Sequence, residues 1–98
     1  MKVQQKVENR TLLLLFSGEM DHHGVRNTLK EVELAIDAAL PKILTLDFSG
    51  VTFMDSSGIA LILCSQHKMR NLKGSIALRN VPQQARRVLD VARIDYAK

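Results

Sequence analysis

Hydrophobic residues occur in short blocks along this chain, and their spacing changes from block to block. Val3, Gln5 and Val7 alternate with polar neighbours, the two-residue period of an edge strand. Glu8-Asn9-Arg10 predicts a tight turn, with Asn9 suited to a positive φ. Thr11 to Phe16 is a continuous apolar run that predicts a buried strand, so the first two strands form a hairpin. Ser17 to Gly24 reads as a loop. Val25, Leu29, Val32, Ile36 and Ala39-Leu40 then recur at helical spacing on one face, with Arg26, Lys30, Glu31, Glu33 and Asp37 on the other. Pro41 stops this helix.

Ile43 to Phe48 predicts a third strand, and Ser49 to Thr52 a connection. A second helix starts at Ser56 or Ser57 and runs to about Leu72. Its first two turns are apolar on nearly all sides, which predicts burial against the sheet and a neighbouring helix. Gln66, His67, Lys68 and Arg70 emerge into solvent, and Gly74 fits a C-terminal cap. Ser75 to Arg79 predicts a fourth strand. Pro82 suits the first turn of a third helix whose apolar face is Val81, Ala85, Val88, Leu89 and Ala92. The fold class is α/β: a single-layer mixed four-stranded sheet packed by three helices, in the order β-β-α-β-α-β-α. Its central β-α-β units require parallel pairing by right-handed crossovers.

Composition narrows the class. The 98 residues fit one domain, and 46% hydrophobic content with few Gly and Pro argues against disorder. No apolar run approaches the roughly 18 residues of a membrane span. Met1 to Gln5 leads straight into polar sequence with no apolar leader, which reads as a cytoplasmic protein. The single cysteine, Cys64, rules out an internal disulfide and reads as a small buried hydrophobe. A net charge of +4 raises the question of nucleic acid. The densest basic residues, Lys68, Arg70 and Lys73 followed by Arg86, Arg87 and Arg93, lie at helical spacing without interleaved aromatics, the pattern of a solvated face rather than a nucleic-acid groove.

The candidate chemistry lies in Phe53-Met54-Asp55-Ser56-Ser57-Gly58, followed by the apolar run Ile59 to Leu63. Two hydroxyls stand where an extended segment turns into a helix. Unpaired N–H groups and a partial positive charge make a helix start tolerant of anions. A serine there can cap the helix, a role worth about 1 kcal/mol. It can also carry a phosphate, which adds about −1.5 to −2 charge. The spacing leaves open whether Ser56 or Ser57 faces outward, and whether Asp55 orients a hydroxyl or caps the helix. Gly58 is expected to permit close approach of a partner.

Other chemistries lack support. His22-His23 has no accompanying Cys/His spacing, so neither a metal nor another cofactor is expected. An enzyme is not expected either. Met54 replaces the first glycine of a G-x-S-x-G elbow, and no phosphate-binding glycine loop is present.

Leu46 to Ile59, with Asp47-Phe48-Ser49-Gly50 and Asp55-Ser56-Ser57-Gly58 inside it, resembles the signature of STAS domains, specifically bacterial anti-sigma factor antagonists. Ser17-Gly18-Glu19-Met20-Asp21-His22-His23 is similar to the family's second hallmark, in the Asp-His-His form of sporulation-type antagonists. The similarity spans nearly the whole chain. It implies a partner-switching regulator that binds an anti-sigma factor, itself a serine kinase, and so frees the sigma factor. It also implies that the kinase phosphorylates the first serine after the aspartate, Ser56, that the phosphorylated form lets go, and that a serine phosphatase resets it. Asp21, His22, Asp55, Ser57 and Gly58 are then the expected partner-binding residues. Two features depart from the family. The chain is basic where an acidic one is expected, and it stops at Tyr96-Ala97-Lys98, about where the family continues into a last strand and helix. The alternative reading is a ligand-sensing STAS domain that takes a nucleotide or small anion at the start of the second helix.

Overall fold

The computed structural model describes residues 1–94. Its elements are β1 (Lys2–Glu8), β2 (Thr11–Met20), α1 (His22–Ala39), β3 (Ile43–Met54), α2 (Ser56–Asn71), β4 (Ser75–Arg79) and α3 (Gln83–Val91), the order that the hydrophobic spacing predicts. The expected short C-terminus at Tyr96 to Lys98 lies outside the described residues.

The four strands lie in the order β1-β2-β3-β4. β1 pairs antiparallel with β2, and β2, β3 and β4 are parallel to one another. The hairpin turns on Asn9 and Arg10, both at positive φ (51° and 64°), the combination whose twist matches a two-residue hairpin. Leu12, Leu14 and Phe16 of β2 and Leu44, Leu46 and Phe48 of β3 alternate onto one face. Buried residues of α1 (Val25, Val32, Ile36), α2 (Leu61, Ile62, Met69) and α3 (Ala85, Leu89) join them in one cluster, so all three helices cover that face. At its centre the Phe16 and Phe48 rings meet edge to face, 5.6 Å apart at 88°. Such a pair adds roughly 1 kcal/mol beyond its burial.

Several expectations are corrected. Ser17 to Met20 continues β2, and Ser49 to Thr52 continues β3 on its way to Met54, rather than forming a loop and a connection. The pairing shows why. It steps from Leu15–Asp47 to Ser17–Gly50, then from Gly18–Val51 to Glu19–Phe53, so β3 carries an extra residue at each step. These bulges replace the two-residue burial period with a three-residue one at Phe48, Val51 and Met54. Gly50 sits at the first bulge, where a Cβ would lie 2.8 Å from both the Phe16 carbonyl oxygen and Ser17 Cβ. At Gly18, φ is +104°, a conformation that favours glycine, and the Ser17-Gly18-Glu19 composition reads as a turn in sequence.

The helices also differ in detail. α1 starts at His22, three residues before Val25, because Asp21 caps it. Leu40 is its exposed left-handed cap rather than part of the apolar face. The first turns of α2 are less enclosed than expected, with Ala60 and Leu63 exposed and Cys64 half-buried. Lys73, at φ 58°, takes the left-handed position after α2, while the Gly74 N–H closes the end on the Met69 carbonyl at 2.8 Å. Pro82 is the N-cap of α3, not its first helical residue, and Ala92 is an exposed C-cap.

Asp47 is the one buried carboxylate among the described residues. Its oxygens accept from the Ser49 N–H (2.9 Å), Arg79 Nε (3.0 Å) and Asn80 Nδ2 (3.1 Å), tying the first bulge to the end of β4. Burial pushes the carboxyl up, and the donors of Ser49, Arg79 and Asn80 outweigh it, holding the pKa below its ordinary value of 3.8. A carboxyl depressed on folding contributes stability that is complete above its unfolded pKa and is lost as pH falls through the folded value. Urea titrations of the wild type and Asp47→Asn are therefore expected to show a wild-type advantage at neutral pH that shrinks steadily below about pH 4.

Candidate functional site

The parallel pairing of β2 and β3 ends at Met20 opposite Met54. Each methionine is followed by an extended aspartate that starts a helix. Asp21 Oδ1 accepts from the Gly24 N–H at 2.8 Å and caps α1. Asp55 Oδ1 accepts from the Ser57 N–H at 2.7 Å and caps α2. The Asp55 N–H donates to the Met20 carbonyl at 3.3 Å, so the two mouths are tied together. Two helix N-termini therefore open side by side at the C-terminal edge of the parallel strands, where α/β sheets place their sites.

The cap resolves the ambiguity at the serines. Asp55 is the N-cap, and Ser56 is the first helical residue, so the simple reading of Ser56 as a helix cap is corrected. Ser56 is exposed and has no capping role. Ser57 is half-buried and lines an open groove of about 430 Å³ with His22, Val25, Arg26 and Ala60. Gly58 is buried. A Cβ there would lie 2.7 Å from Met54 Cγ and 3.0 Å from Met20 Sδ, so within the fold the glycine lets α2 approach the two strand ends closely.

The structure divides the other expected residues between two grooves. His22 faces the Ser57 groove, whereas Asp21 and His23 line a second hollow of about 590 Å³ with Met1, Glu19 and Thr52. The His22 and His23 rings are 5.8 Å apart, edge to face. Among the described residues, no three His, Cys, Asp or Glu side chains converge to hold a metal ion, and no helix is long and apolar enough to cross a membrane.

Two residues at the site carry no sequence signal of their own. Arg26 lies one turn beyond His22, a relation hidden when the first turn of α1 reads as loop. Gln84 of α3 reaches the end of β3. The Met54 N–H donates to Gln84 Oε1, and Gln84 Nε2 donates to the Met54 carbonyl, both at 2.8 Å. Nothing in the sequence distinguishes Gln84 from an ordinary solvent-facing helix residue.

A family model described as "Mlab, STAS domain" matches residues 3–96. An anti-sigma F factor antagonist from Lysinibacillus sphaericus is 29% identical over 84 residues, covering 86% of this chain and 72% of that protein. The anti-sigma factor antagonist SpoIIAA in its unphosphorylated form superposes with a TM-score of 0.83 at 25% identity, over 99% of this chain and 89% of that one. The Bacillus cell fate determinant SpoIIAA in its phosphorylated form gives 0.74 at 27% identity, over 93% and 83%. The matched span and the strand and helix order agree, and the chain belongs to the STAS domain family.

Proposed function

We propose that this protein is an anti-sigma factor antagonist whose unphosphorylated form binds an anti-sigma factor serine kinase, and that phosphorylation of Ser56 switches the binding off. A serine phosphatase restores the binding form. The observation that carries this reading is the exposed Ser56 at the first position of α2, with Asp55 performing the cap. Support also comes from the relatives, one named an anti-sigma F factor antagonist and one solved in a phosphorylated form.

The proposed switch follows from charge. The N-terminus of α2 accommodates an anion, so the fold tolerates the phosphate. A docked surface does not. The phosphate must be desolvated there, and it lies next to the Asp55 carboxylate in sequence. Asp55, Ser57 and Gly58 shape the helix mouth, and Asp21 and His22 stand at the neighbouring one. The proposed partner surface spans both mouths.

The Ser57 groove favours one second reading. Arg26, His22 and the start of α2 frame a space of about 430 Å³, consistent with a small anion or nucleotide as ligand. Titration of the isolated domain with ATP and GTP separates the two: tight binding supports the ligand-sensing reading.

Two predictions follow for the switch and its cap. In calorimetric titrations against the anti-sigma factor, Ser56→Ala is expected to bind like the wild type and to stay bound in the presence of ATP. Ser56→Asp is expected to bind on the order of a hundredfold more weakly, equivalent to ~3 kcal/mol. Tight binding by Ser56→Asp contradicts the proposal. In urea denaturation, Asp55→Ala is expected to lose about 1 kcal/mol of stability with its cap, whereas Ser56→Ala stays within about 0.5 kcal/mol of the wild type.

A further inference from the structure

β4 pairs with β3 only from Ile43 to Asp47, yet β3 continues to Met54. The last part of β3 therefore has no strand on its β4 side, and its edge N–H and C=O groups need other partners. At Met54 a side chain supplies them. A carboxamide carries donor and acceptor groups like those of a peptide. Gln84 uses both on Met54, at 2.8 Å each, and so stands in for a missing strand residue. On the opposite side, β2 pairs with Met54 and the Met20 carbonyl takes the Asp55 N–H. The peptide just before the Asp55 cap is thus held from both sides, two residues ahead of Ser56.

We propose that Gln84 is a positioning residue for Ser56. Its clamp on Met54 fixes the backbone from Met54 to Ser56 in the pose that a phosphorylating partner reads, and it makes α3 part of the switch although α3 contributes none of the expected site residues. This inference rests on Ser56 being the phosphoacceptor. The partner's reaction moves the terminal phosphoryl group of ATP to the Ser56 hydroxyl oxygen, with ADP leaving and the hydroxyl proton released. Such a transfer depends on orientation, so a loosened acceptor loses turnover more than affinity.

The test compares the wild type with Gln84→Met, which keeps the side-chain length and removes both hydrogen-bonding groups, and with Gln84→Glu, which keeps an acceptor for the Met54 N–H but sets a carboxylate oxygen against the Met54 carbonyl. Two measurements are made on each: amide hydrogen exchange by NMR, and phosphorylation kinetics with ATP and an anti-sigma factor serine kinase that the wild type binds. In Gln84→Met, exchange at Met54 is expected to rise on the order of tenfold while Leu46, at the sheet centre, stays protected. The kcat for phosphorylation is expected to fall on the order of tenfold with KM within about twofold of the wild type. Gln84→Glu is expected to lie between the two. Unchanged Met54 exchange, or unchanged kcat on a wild type that is phosphorylated at Ser56, overturns the inference. If the wild type takes no phosphate at Ser56, the phosphoacceptor reading and the inference resting on it both fail, and a raised Met54 exchange then assigns Gln84 a stabilising role alone.

Discussion

The pairing of β2 with β3 beyond the two bulges is the constraint on which the rest depends. It brings Met20 level with Met54, and the Asp55 N–H onto the Met20 carbonyl. Each strand then hands over to an aspartate-capped helix at the same height. Without the bulges to absorb its two extra residues, β3 would carry Met54 past Met20, and the two helices would start at different levels. Buried Gly58 fits against both methionines, and any larger residue there requires the Met54 side chain to shift.

Capping by aspartate rather than serine matters for the proposed chemistry. A cap already satisfies an N–H of the first turn, so a change at Ser56 leaves the helix start intact. The same carboxylate sets a negative charge at the place where a phosphate would arrive. A helix end that tolerates an anion and an adjacent fixed charge that opposes docking act on different equilibria, folding and binding. That separation lets the proposed switch change affinity without unfolding the domain.

Much of this was legible in the sequence, for identifiable reasons. The apolar runs from Thr11 to Phe16 and from Ile43 to Phe48 keep a strand pattern, and Val25, Val32 and Ile36 keep a helical one, so element type and order were readable. The strand extensions were not. Bulges break the alternation at Ser49 to Met54, and Ser17-Gly18-Glu19 has the composition of a turn. The candidate serines stand out by motif and family resemblance, but that Asp55 and not a serine caps α2 depends on backbone angles. Gln84 was invisible because its partner is a peptide group 30 residues away, and a backbone partner leaves no mark on residue identity.

The central claim is that Ser56, exposed at a helix mouth capped by its neighbour, is the residue on which charge is placed. The most direct test is peptide-resolved mass spectrometry after incubation with an anti-sigma factor kinase and ATP. A single phosphate on Ser56 is the expected result. A phosphate on Ser57 instead, or none on the segment from Phe53 to Ala60, contradicts it.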